Sequence, residues 1–280
     1  MMHTSGQTYK ELAIPYFRET FDIIDEVMQA VGIPYYLIGA SAIALELLKA
    51  GIKPGRGTKD IDFAVMIAGR KEYEQITSAL EARGFNKVAA PWTFYSAAFR
   101  VAIDVLPFGE ITENHTDNFH ERHTDLHVLG LREVLEDAVP VSIEEKIVNI
   151  PPLPGMAILK LIAWSDRPEE RVDDLFDLLR IMQYYYDLKW DEIVEVHFDA
   201  LEKEPLDPLL ISAEVLGRDA AIYLQRSSAI ASRIIQVLET NLEDASASSI
   251  ARAWARALDK NIEYAYALLD AFRAGIMHRQ

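Results

Sequence analysis

The segment Thr58-Lys59-Asp60-Ile61-Asp62-Phe63-Ala64-Val65 sets two carboxylates one residue apart among apolar neighbours. In an extended strand alternate side chains share a face, so Asp60 and Asp62 project from the same side. Two carboxylates that close repel each other unless a proton or a cation stands between them. The pair therefore reads as a divalent-metal site, and oxygen ligands favour magnesium or manganese. A third acid, Asp104, interrupts the apolar run Val101-Ala102-Ile103-Asp104-Val105-Leu106. Upstream, Tyr35-Tyr36-Leu37-Ile38 leads into Gly39-Ala40-Ser41. Glycine lets the backbone approach a phosphate closely. Ser41, read at or near the N-cap of the next helix, could cap it or bind an anion beside its exposed amides. Taken singly, these residues also fit a capped turn, surface ion pairs and an edge-strand acid. Three acids on adjacent strands beside a Gly/Ser turn are harder to explain that way.

These residues need elements to hold them. Leu12, Phe17, Phe21, Ile24, Val27, Met28 and Val31 predict an amphipathic helix over 7–31, broken or kinked near Pro15 and stopped at Gly32. A short buried strand follows at 35–38, then a helix at 41–50 ended by Gly51, and a loop at 53–57. Strand 61–67, a helix over 69–83 stopped at Gly84, and strands near 86–89, 94–99 and 101–106 complete this part. The order predicts an α+β fold, with a small mixed sheet and packed helices. Beyond Pro151-Pro152 the pattern becomes all-α, with helices expected at 154–166, 170–186, 190–203, 208–217, 219–240 and 247–276. In the last, Ile250, Trp254, Leu258, Ile262, Leu269 and Phe272 form an apolar stripe.

Bulk properties narrow the function classes. The 280 residues are 50% hydrophobic and 26% charged, enough for one large or two smaller domains. There is no cysteine, which excludes disulfides, thiolate nucleophiles and sulfur-bound zinc. Net charge is −16, and residues 1–150 and 151–280 carry the same 14 basic and 22 acidic residues. No basic domain is present to track a phosphate backbone, so the acidity favours a small or metal-complexed substrate. Neither a signal peptide nor an apolar run of about 20 residues is visible, and a cytoplasmic location is expected.

Gly39-Ala40-Ser41, a helix, Asp60-x-Asp62 and the later Asp104 together resemble the nucleotidyltransferase superfamily that includes DNA polymerase beta. Residues 156–179 resemble the AbiEii/AbiGii toxin-type nucleotidyltransferases within it. They read Met156-Ala157-Ile158-Leu159-Lys160-Leu161-Ile162-Ala163-Trp164-Ser165-Asp166-Arg167, then Asp173-Asp174-Leu175-Phe176-Asp177-Leu178-Leu179. The resemblance spans about residues 30–185. It implies a nucleotidyltransferase-type sheet at 1–150 as catalytic domain, and an α-helical domain at 151–280 completing the active site. Asp60, Asp62 and Asp104 would hold Mg2+ or Mn2+, with Asp104 also able to serve as base. Gly39, Ala40 and Ser41 would hold the distal phosphates of a nucleoside triphosphate, and Lys160 would reach the triphosphate. Asp174 or Asp177 would orient Lys160 or Arg167, or act directly. The chain departs from the family pattern in the long segment 42–59, in Ala40 and in Lys59.

The implied activity is transfer of a nucleoside monophosphate to a hydroxyl on tRNA, a protein or a small molecule. A toxin-antitoxin or phage-defence setting, with a cognate antitoxin, goes with the family and no membrane is implied. A non-catalytic nucleotide-binding protein and a metal-dependent phosphohydrolase are the alternatives on the same residues. His115, His120, His123 and His127 read as a polar loop entering a strand near Leu126 rather than as a zinc site. Tyr184-Tyr185-Tyr186 reads as helix packing. No Walker A, dinucleotide-binding or nucleophile-elbow motif occurs.

Overall fold

In the computed structural model, residues 12, 14, 16–54, 60–88, 90–109, 116–119 and 124–278 are described. They fall into two units, Met1–Pro152 and Leu153–Gln280.

The first unit begins with α1 (Phe17–Val31), whose apolar spacing buries Phe17, Phe21, Ile24, Val27 and Met28 on one face. The helix starts ten residues later than the periodicity predicts. Tyr16 has left-handed backbone (φ 56°), which ends any helical run arriving from upstream. Pro15 and residues 7–11 lie outside the described residues. Gly32, at φ 69°, closes the helix with bonds to the carbonyls of Gln29 and Met28.

Next come β1 (Tyr35–Ile38), α2 (Gly39–Lys49), β2 (Asp60–Ile67) and α3 (Arg70–Glu81), then β3 (Phe85–Lys87), β4 (Thr93–Ser96) and β5 (Val101–Gly109). They make one mixed sheet in the order β1-β2-β5-β4-β3. Only β2 and β5 pair in parallel; the other neighbours are antiparallel. Ile61, Phe63 and Val65 on β2, with Ile103 and Val105 on β5, are buried together on one face. Phe21 of α1 stacks on Phe63 at 6.4 Å, and Tyr73 of α3 donates its hydroxyl to the Val105 carbonyl at 3.0 Å. That face is the core, and Asp60, Asp62 and Asp104 alternate onto the other.

Two hairpins follow. One, β6 (Thr116–Phe119) with β7 (Thr124–His127), stands where the sequence predicts a polar loop. His115, His120 and His123 lie outside the described residues. After α4 (Leu131–Leu135), β8 (Val139–Ile143) pairs with β9 (Lys146–Ile150). Lys146 reaches back to Asp25 of α1 at 2.5 Å, where Gln29 and Tyr35 also donate. Burial alone would raise the Asp25 carboxyl; these three donors outweigh it and hold the group below its usual range.

The second unit is helical: α5 (Leu153–Asp166), α6 (Val172–Leu188), α7 (Trp190–Val196), a 3-10 turn at Phe198–Glu202, α8 (Pro208–Arg226), α9 (Ser228–Asn241), α10 (Ser249–Leu258) and α11 (Ile262–Ile276). No helix among the described residues is long and apolar enough to cross a membrane. Two breaks differ from the expected pattern. The helix expected to end at 217 runs on to Arg226, because Ser227 is the residue that caps the next helix, accepting from the Ile230 amide. The expected single helix 247–276 is two, divided at Asp259 (left-handed, φ 52°) and restarted by Asn261 accepting from Tyr264. Its stripe is therefore shared between two helices, with Trp254 donating Nε1–H to the Leu175 carbonyl at 2.9 Å.

Helices α8 and α11 cross at backbone contact. A Cβ on Gly275 would stand 1.9 Å from the Glu214 carbonyl oxygen, and one on Gly217 would stand 2.3 Å from that of Phe272. Neither partner is a side chain that could swing aside. We expect Gly275→Ala to cost about 1–3 kcal/mol through overpacking, read as a lower urea midpoint at unchanged slope. An unchanged midpoint would mean that the helices do not approach this closely.

Candidate functional site

The sheet lines up its polar residues in one row. In register, Ile38 of β1 faces Asp62 of β2, Asp62 faces Asp104 of β5, and Asp104 faces Thr93 of β4. Asp60 sits two residues before Asp62, opposite Ala102. Paired residues on neighbouring strands share a face, and neighbouring strands lie about 4.8 Å apart. Asp60, Asp62 and Asp104 thus converge on the non-core face, with Asp60 exposed and the other two half-buried. The register puts three carboxylates on one face, and carboxylate oxygens are the donors a hard cation takes.

Gly39 fixes the near edge of the row. As the first residue of α2 it has φ +67°, and a Cβ there would lie 2.0 Å from Asp62 Oδ2. Only glycine can turn the chain here while touching that carboxylate. Ser41 is not the cap that the sequence suggests. The N-cap is Ile38, whose side chain cannot accept, so Ser41 is the third helical residue and no side chain caps α2. Ser41 is 1% exposed, and among the described residues its Oγ has no hydrogen-bond partner. An unsatisfied buried hydroxyl costs about 1–3 kcal/mol. Ala40 lies between the two and contributes backbone.

Thr93 completes the row and escaped the sequence analysis. Its hydroxyl donates to Asp104 Oδ1 at 2.6 Å. The strand holding it was expected to begin at 94, which left Thr93 in a turn. Pairing Asp104 with its in-register neighbour is the signal that would have found it.

Lys160, Asp174 and Asp177 meet inside the helical unit. Lys160 Nζ lies 2.7 Å from Asp174 Oδ1 and 2.9 Å from Asp177 Oδ2. Burial would lower the ammonium pKa, but the two carboxylates outweigh it and raise it well above the usual lysine value. Arg171, not Arg167, approaches Asp174, at 3.5 Å. Arg167 is exposed and pairs with Glu170 at 3.4 Å. With all three side chains about one-tenth exposed, losing the cation strands two buried charges. Lys160→Met should cost about 3–5 kcal/mol in urea unfolding. Adding Asp174→Asn and Asp177→Asn should recover much of that loss, and no recovery would contradict the ion-pair account.

No family model matches the chain, and no curated protein matches it. Solved structures overlap it in part. An antigenic nucleotidyltransferase-like protein from Paracoccidioides brasiliensis is 13% identical over 82% of this chain and 94% of its own, with TM-score 0.39. ANT(2'')-Ia in complex with adenylyl-2''-tobramycin is 13% identical over 54% and 78%, with TM-score 0.38. A CCA-adding enzyme with CTP is 13% identical over 100% and 72%, with TM-score 0.30. Overlaps this loose say nothing of what this chain binds, which has to be read from its own residues.

Proposed function

We propose that the chain is a metal-dependent nucleotidyltransferase that moves a nucleoside monophosphate from a nucleoside triphosphate to a hydroxyl. The observation that carries this reading is the register of Asp62 opposite Asp104, with Asp60 on the same face and the uncapped start of α2 against Asp62. The donor set is all carboxylate, which suits Mg2+ or Mn2+. Bound there, the cations would neutralise charge on the attacking and leaving oxygens.

The residues divide the remaining work. The leading amides of α2 would be donors for the distal phosphates, on the positive end of the helix, with Ser41 buried just behind them. Gly39 lets that backbone close on the carboxylate row. Asp104, which accepts from Thr93, would take the proton of the attacking hydroxyl or hold the second cation. Phosphate neutralisation falls to α2 and the cations in this reading, since the Lys160 ammonium already has two carboxylates. The acceptor is a tRNA end, a protein side chain or a small molecule. A toxin-antitoxin or phage-defence role with a cognate antitoxin is the biological setting that the sequence resemblance suggests.

Incubation with labelled nucleoside triphosphates, Mg2+ or Mn2+, and total RNA or lysate tests the reading. The wild type should label an acceptor, and the Asp60→Asn/Asp62→Asn double variant should not. Equal labelling by both sinks the assignment. Phosphate or pyrophosphate release with no labelled acceptor selects a phosphohydrolase, and calorimetric nucleotide binding without turnover selects a binding protein. Gly39→Ala should lower the transfer rate about 100-fold at unchanged protein concentration, because it displaces the Asp62 carboxylate by an ångström or more. Wild-type rates in a folded Gly39→Ala chain would remove Gly39 from the site.

A further inference from the structure

Apart from the aspartate row, the helical unit holds a second set of ligand-type side chains. Glu192 of α7, His197 just past its end and Asp219 of α8 each bring one donor atom, and these lie within 4.8 Å of one another. We propose that Glu192, His197 and Asp219 form a site for a divalent transition metal of the zinc type, distinct from the magnesium-type site on the sheet.

The spacing favours coordination over hydrogen bonding. His197 Nε2 and Asp219 Oδ1 are 3.4 Å apart. A charge-assisted N–H···O bond would be about 2.7–2.9 Å. Two donors on a tetrahedral zinc, each about 2.0–2.2 Å from the ion, stand about 3.4 Å from each other. Glu192, half-buried on the last-but-one turn of its helix, closes the remaining gap by side-chain rotation. Its Oε2 takes Lys189 at 2.5 Å, and among the described residues Oε1 accepts no hydrogen bond.

The chemistry of the set agrees. One imidazole with two carboxylates is a borderline donor set, which selects zinc-type ions over magnesium. Two carboxylates and a neutral ring also match the charge of a dication. Three protein ligands leave a fourth position for water or a substrate atom. One outer contact is in place. Tyr185, itself buried, donates its hydroxyl to Asp219 Oδ2 at 2.5 Å and so fixes the carboxylate with Oδ1 toward His197.

Coordination through Nε2 puts the ring proton on Nδ1, which lies 3.5 Å from Arg218 Nη1. That guanidinium is committed elsewhere, to Asp199 at 2.7 and 2.6 Å and to Glu214 at 2.6 Å. Metal binding would therefore replace the longest contact Arg218 makes with an Nδ1–H facing the guanidinium, which has to turn away from the ring.

The test uses the full, untagged chain carrying Asp60→Asn and Asp62→Asn, so that the sheet site adds no binding and the two proposals fail separately. After chelator treatment it is titrated with Zn2+ by calorimetry and with Co2+ by visible absorption. One equivalent should bind, with the intense bands of four-coordinate Co2+. Glu192→Gln and His197→Gln should each weaken it at least tenfold, with folding checked by circular dichroism. If buried His197 does not tolerate glutamine, half-buried Glu192→Gln decides. Absence of binding, or an equivalent that persists in the folded variants, overturns the site and leaves a hydrogen-bonded network.

Discussion

Two like charges held side by side are the constraint on which the first unit depends. Asp62 and Asp104 share a register position on parallel strands. At about 5 Å, with an effective dielectric near 20, two ionised carboxylates repel by about 3 kcal/mol. On the polar face, Thr93 donates to Asp104 at 2.6 Å. The arrangement is imposed from the other face, where Ile61, Phe63, Val65, Ile103 and Val105 are buried. A slip of one residue in β2 would turn Phe63 out and bury Asp62, so the core holds the register against the repulsion. Thr93 and the Gly39 turn then settle where each carboxylate points.

The helical unit handles charge differently. There the acids come with their own cations: Lys160 between buried Asp174 and Asp177, and buried Arg218 between exposed Asp199 and buried Glu214. Each cation satisfies two carboxylates from different turns or elements, which ties helix to helix and leaves little net field. The glycines of the α8–α11 crossing do the complementary work, bringing backbones together where side chains would hold them apart. Glu192, His197 and Asp219 stand out because two carboxylates and an imidazole meet there, with Lys189 paired to Glu192.

Particular elements show what could be read in advance. The strand Tyr35–Ile38 and the helix stop at Gly32 were legible because burial on both faces and a left-handed glycine leave local signatures. The breaks at Ser227 and Asp259 were not, since the apolar spacing continues across them and only cap geometry divides the helices. The β8–β9 hairpin went unassigned because its strands are short and Pro140 interrupts the alternation. Ser41 stands three positions past the cap, since helix starts are chosen by backbone conformation and not only by capping residues.

What the sequence by itself determined is the alternation that puts Asp60 and Asp62 on one face, the mixed α+β order of elements, and the apolar runs that bury the opposite face. These follow from periods of 2 and 3.6 residues, which any local stretch carries. Only the tertiary structure decided that β5 lies beside β2 with Asp104 level with Asp62, that Gly39 backs onto Asp62, and that Lys160 is held by Asp174 and Asp177. It alone also brought His197 to Asp219. Each of these is a meeting of residues far apart in the chain, set by which apolar faces pack together, and no local period encodes it.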